Sequence, residues 1–122
     1  MIPLNAVCLS PKETAAALTE AAIKKAACPT GARFLMSFMA GTFISLGAHG
    51  AIVTYDTPFL SAAVFPVGLM LVILVGGELF TGNCLMTFAL LQKKITFKNY
   101  CRSLIQVFFG NFLGALFIAA LL

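Results

Sequence analysis

The chain has 122 residues, of which 61% are hydrophobic and 10% charged, with a net charge of +4 and a mean hydropathy of +1.01. So small a chain cannot enclose that much apolar surface in a water-soluble core. The composition excludes a free-standing soluble enzyme, a nucleic-acid-binding module and a disordered segment, and it points to lipid as the solvent.

In chain order, the first 30 residues carry lysines and lack the short apolar stretch and cleavage site of a signal peptide. Ser10-Pro11-Lys12-Glu13 forms a helix start: a serine cap, proline at the first helical position and glutamate three residues on make a capping box. The alanine-rich helix that follows should run to about Ala27 and stop before Pro29 and Gly31. Residues 1–33 are therefore read as a cytoplasmic segment whose amphipathic helix lies along the membrane surface. The remainder, 34–122, is read as a membrane domain.

Phe34 to Tyr55 is a run of 22 uncharged residues, enough for one span over about 34–55. Ser37, Gly41 and Ser45 form a small-residue stripe on it, most simply a helix contact. His49, the only histidine, lies near the outer end, where a packing role outweighs proton transfer. A tight turn at Tyr55-Asp56-Thr57-Pro58 follows.

Thr57 to Gln92 is 36 residues long with one carboxylate, Glu78. As one straight helix it would be about 54 Å long, too much for a single span, and as two full spans it is too short. The basic residues decide how often it crosses. Lys12, Lys24, Lys25 and Arg33 form one patch, and Lys93, Lys94, Lys98 and Arg102 another. Both belong on the cytoplasmic side, so an even number of crossings separates them. The long stretch then crosses once, as a span over about 58–92 broken in mid-membrane near 77–82. Gly76, Gly77, Gly82, Asn83 and Thr81 supply residues that tolerate such a break. The expected form is a half-helix from about Pro58 to Gly76, a loop through Glu78 to Gly82, and a second half-helix to about Gln92. An unbroken, tilted helix with glycines for close packing is the competing reading.

Ser103 to Leu122 is a third uncharged run, of 20 residues, giving a span over about 102–122. Gly110 and Gly114 on it favour close helix approach, and Asn111 could bond to backbone at the break. Cys8, Cys28, Cys84 and Cys101 show no paired spacing, so free thiols are expected. The fold class is all-α transmembrane, with no metal or cofactor implied.

Leu74-Val75-Gly76-Gly77-Glu78-Leu79-Phe80-Thr81-Gly82-Asn83 resembles the signature of the formate/nitrite transporter family, which includes channels for formate, nitrite and hydrosulfide. Phe65 and Leu69 precede it at matching offsets, and Phe109-Gly110-Asn111-Phe112-Leu113-Gly114-Ala115 is similar to the family's third span. The resemblance implies a six-span fold of two inverted three-span halves, assembled as a homopentamer with one pore per subunit in the cell membrane, and the basic patches put the N-terminus in the cytoplasm. This chain resembles the N-terminal half, as a fragment or a truncated product. The pore histidine and lysine that the family carries in its second half have no counterpart in it.

If the break exists, unpaired N–H groups near it would suit a small monovalent anion. The candidate binding residues are Thr81, Leu79, Phe80, Gly82 and Asn83. The resemblance adds that this loop moves and that Thr81 meets the histidine of the other half. Phe65, Leu69 and Leu79 are candidates for an apolar pore constriction that resists hydrated ions. Glu78 and Asn111 are candidates for structural support of the break, Glu78 by accepting the freed N–H groups. The expected function is passage of small monovalent anions, formate first, then nitrite or hydrosulfide, with or without a proton. A small multidrug exporter or a membrane subunit without a pore is the alternative. The former should carry its carboxylate in the first span, whereas here it is in the second. No cluster of residues suggests an enzyme.

Overall fold

The computed structural model describes residues 8–122. They form six helices and no strand: α1 (Pro11–Ala26), α2 (Thr30–Val53), α3 (Pro58–Leu74), α4 (Phe80–Cys84), α5 (Thr87–Leu91) and α6 (Phe97–Leu121). Helices α2 and α6 are long and apolar enough to cross a membrane, and α3 is a shorter apolar helix. Large apolar side chains cover the outside, as at Phe59 (87% exposed) and Leu74 (79%). Cys8, Cys28, Cys84 and Cys101 are free thiols.

The capping box at α1 is present: the Ser10 N–H donates to Glu13 Oε2 at 2.8 Å and the Glu13 N–H to Ser10 Oγ at 3.3 Å. Helix α2 starts at Thr30, four residues before the expected span, which puts Arg33 in its first turn and buries it. The boundary drawn between 33 and 34 therefore falls inside a helix. Pro29 is the reason, because it cannot continue α1 and its fixed φ suits the start of α2. Helix α6 likewise starts earlier, at Phe97, with Thr96 as cap to the Asn99 N–H.

Contacts give the helix directions. Thr30 meets Arg102, Arg33 meets Gln106 and Ser37 packs on Gly110, so α2 and α6 run parallel. Ala51 meets Ser61 and Gly47 packs on Gly68, so α3 runs antiparallel to α2. Small residues permit both approaches. A Cβ on Gly41 would meet the Asn111 backbone, its Cα at 2.8 Å, and one on Gly114 would meet the Thr42 nitrogen at 2.9 Å. On the other side, a Cβ on Gly68 would lie 2.7 Å from the Phe43 oxygen. Close packing with small residues is how helices associate where lipid competes equally well for apolar surface. A separate cluster of Ala22, Met86 and Ala89, with Ala26, Ile95 and Tyr100 around it, ties α1 to α5 and α6.

Between Leu74 and Phe80 the chain is not helical. Gly76 takes φ +67°, the Gly76 N–H donates to the Ile73 oxygen (3.2 Å) and the Gly77 N–H to the Val72 oxygen (2.8 Å). This pair of bonds is a Schellman motif, with glycine at the left-handed position, and it closes α3 two residues before the expected end at Gly76. The helical structure resumes at Phe80, so Phe80, Thr81 and Gly82 lie in α4 rather than in the loop. The expected second half-helix is two short pieces. The same motif ends α5: Lys93 takes φ 56°, its N–H donates to the Leu90 oxygen (2.9 Å) and that of Lys94 to the Ala89 oxygen (2.9 Å).

Candidate functional site

The turn after α3 is held by α2 and α6 through backbone groups. The Glu78 N–H donates to the Met36 oxygen of α2 at 3.3 Å. Asn111 of α6 makes three bonds: Nδ2 donates to the Ser37 oxygen (2.7 Å) and to the Glu78 oxygen (2.8 Å), while Oδ1 accepts from the Phe80 N–H (2.9 Å). One side chain thus joins α2, the turn and the start of α4, using three of the four hydrogen bonds that an amide can make.

The Glu78 side chain is buried, and its carboxylate does not accept the N–H groups freed at the turn. Instead Lys25 Nζ of α1 donates to Glu78 Oε2 at 3.0 Å and to Asn83 Oδ1 at 2.9 Å. A carboxylate this buried (9% exposed) needs a cation more than it needs neutral donors, because only the cation cancels its charge. Lys25 is the member of this arrangement that sequence reasoning missed. It is read there as a topology signal, and its neighbour Lys24 spends its charge on Glu20 one turn away, at 3.3 Å. A lone acid within an apolar stretch signals that some cation must meet it, but sequence does not say which.

The proposed binding residues divide into two groups. Phe80 and Asn83 are taken up by the scaffold. The Phe80 N–H is bonded to Asn111, and its ring stacks edge-on against Phe108 with centroids 5.8 Å apart. Asn83 is fully buried, its Oδ1 bonded to Lys25, while its Nδ2 has no partner among the described residues. Leu79, half-buried, accepts the Asn83 N–H on its oxygen at 3.0 Å. Thr81 is exposed and Gly82 half-buried, and their N–H groups and the Thr81 hydroxyl find no acceptor among the described residues. Three donors therefore remain open at Thr81-Gly82, beside a carboxylate whose charge is balanced.

Phe65 and Leu69 are exposed and one helical turn apart on the same side of α3. They precede Leu74 by about 14 Å and 8 Å of helix axis respectively. Phe65 also borders a recess with Tyr55, Asp56 and Ser61 at the far end of α3. His49 lies in a groove between α2 and α6 with Ser45 and Ile118, remote in the chain from the turn. Among the described residues no group of three metal-ligating side chains comes together.

Residues 12–122 match the formate/nitrite transporter family. The chain is 38% identical over 123 aligned residues to a formate channel of Bacillus thuringiensis, covering 89% of this chain and 46% of the relative. It is 36% identical to a probable formate transporter of Methanothermobacter thermautotrophicus, covering 90% and 44%. It is 35% identical to a formate channel of Haemophilus influenzae, covering 98% and 45%. These relatives are named channels and transporters, not enzymes. The chain spans about half the length of the curated relatives it matches. No solved structure matches.

Proposed function

The chain belongs to the formate/nitrite transporter family, and from that premise we propose that it lines a membrane path for small monovalent anions at Thr81. Formate is the first expected substrate, because relatives from three organisms bear that name. Nitrite and hydrosulfide follow, and a proton can accompany the anion. The observation that carries this reading is the set of open donors, the N–H groups of Thr81 and Gly82 and the Thr81 hydroxyl. An anion that has shed water needs such donors, and Lys25 offsets the one nearby carboxylate that would repel it.

The topology we propose has three spans, α2, the stretch from α3 through α5, and α6, with the second broken after Leu74. Its support is the parallel course of α2 and α6, which requires the intervening chain to return the length of the bundle. Residues 34–122 form the membrane domain in this reading, with residues 1–33 on the cytoplasmic side of the cell membrane. A second, inverted half and a homopentamer complete the assembly, and Phe65, Leu69 and Leu79 narrow the path on the apolar side. Glu78 and Asn111 support the turn.

Anion entry into liposomes carrying the protein tests this, with formate, nitrite and hydrosulfide compared. Thr81→Val should lower formate flux about tenfold or more, the worth of one hydrogen bond to a charged group. Thr81→Ser should keep most of it, and Leu79→Ala should relax selectivity. Flux unchanged in Thr81→Val overturns the site, and absence of anion flux from the assembly with its second half present overturns the function.

A further inference from the structure

A second polar feature lies apart from the turn, where α2 and α6 both begin. The α1–α2 connection and the first turns of the two helices enclose a cavity of about 250 Å³, lined by Cys28, Thr30, Arg33, Asn99 and Arg102 among others. Arg33 is 4% exposed, yet all its partners are neutral: Nη1 donates to Gln106 Oε1 (2.8 Å), and Nη2 to the oxygens of Lys25 (2.8 Å), Cys28 (2.9 Å) and Ala26 (3.2 Å). The carbonyls at the end of α1 compensate that charge only as dipoles. Arg102 adds a second guanidinium, with one neutral partner, Thr30 Oγ1 at 2.8 Å. None of the four acids of the chain lines this cavity. Glu20 and Glu78 pair with lysines of α1, Glu13 caps α1, and Asp56 lies beyond the other end of α2.

Two guanidinium groups sharing one cavity repel each other, and a buried charge without a counter-charge is costly. Arg102 retains donors beyond its bond to Thr30, Asn99 also lines the cavity, and α2 starts at Thr30 without a side-chain cap. Beyond this polar spot the same two helices carry exposed apolar residues, Leu35 on α2 and Phe97 and Ile105 on α6. A basic pocket between the ends of two membrane-capable helices has the form of a headgroup site.

We propose that this cavity seats the phosphate of an anionic phospholipid, with Arg102 donating to its oxygens, Asn99 assisting, and Arg33 supplying a buried positive charge behind them. The acyl chains run along α6, where the exposed Ile105 lies one turn from Arg102. A planar guanidinium suits phosphate because it can donate two bonds at once.

The test is a thermal melt of the full chain in detergent, titrated with dioleoyl phosphatidylglycerol, with dioleoyl phosphatidylcholine, or with inorganic phosphate. Phosphatidylglycerol should raise the midpoint and phosphatidylcholine should not. Arg102→Gln, a change at an exposed residue, should raise the half-saturating phosphatidylglycerol concentration about tenfold or more, and Asn99→Ala should raise it less. Lys93→Gln, a lost cation outside the cavity, should leave it within about twofold, the scale of an exposed charge. Equal shifts from the two lipids overturn the proposal, as do equal effects of Arg102→Gln and Lys93→Gln, which would mean diffuse surface charge. A shift reproduced by inorganic phosphate alone overturns the lipid as occupant.

Discussion

Replacing Asn111 by leucine keeps the side-chain shape and removes all three of its hydrogen bonds. The Phe80 N–H and the oxygens of Ser37 and Glu78 then lose their partner on α6. Hydrogen bonds between helices in apolar surroundings are worth about 0.6 kcal/mol on average and up to about 1.7. Three of them set the loss at about 2 to 5 kcal/mol, toward the lower end because Asn111 is only half-buried and water can reach the Phe80 N–H. Reversible unfolding in mixed detergent micelles measures this, with the exposed neighbour Phe112→Leu as a control that should cost well under 1 kcal/mol. Hydrogen exchange gives a local reading, since the Phe80 amide should lose protection before the amides of α2 and α6 do. A loss below about 0.5 kcal/mol, or one matched by Phe112→Leu, would refute the claim that Asn111 holds the turn.

Lys25→Met should cost about 2 kcal/mol, below the usual 3 to 5 for breaking a buried pair because the lysine is about a third exposed. Adding Glu78→Gln should recover at least half of that loss in a double-mutant cycle, whereas additive losses would mean the two residues do not interact. Lys93→Gly should stabilise the chain by about 1 kcal/mol by relieving a left-handed non-glycine residue, and Gly76→Ala should destabilise it by a similar amount. No atom lies within 4 Å of a Cβ at Gly76, so this loss isolates backbone strain. The Ser10 backbone N–H, and secondarily the Ser10 side chain, hold the Glu13 carboxyl below its ordinary value of 4.5. A depressed carboxyl stabilises the fold fully above its ordinary value and loses that effect as pH falls below it and through the lowered one. NMR shifts of the first turn of α1 should therefore report fraying only below about pH 4.5, and Glu13→Gln should abolish the pH dependence.

Much of the helical outline was legible in the sequence because its causes are local. Apolar runs between charges mark α2, α3 and α6, and the capping box at Ser10 needs only four consecutive residues. Gly76-Gly77 marks where helix propensity fails, and the Schellman motif that ends α3 is formed by residues within six positions. The errors at this level are also local. The expected loop extends to Gly82 because glycine and asparagine favour turns, but Asn111 binds the Phe80 N–H and lets helix resume there. The signature around Thr81 likewise pointed to the transporter family, since a ten-residue pattern survives without reference to the fold.

What the tertiary structure decided are the partners. Lys25 and Lys24 are equivalent in sequence, yet one meets Glu20 a turn away and the other meets Glu78, 53 positions on. The choice depends on the rotation of α1 against α4, which is set by the packing of Ala22 on Met86 and Ala89. Arg33 reads as one more cytoplasmic charge, but the parallel approach of α2 and α6 buries it beside Arg102. Hydrophobicity and turn chemistry are properties of neighbouring residues and can be read along the chain. Which charge is buried, and against what, depends on distances between helices, and only the packed structure contains them.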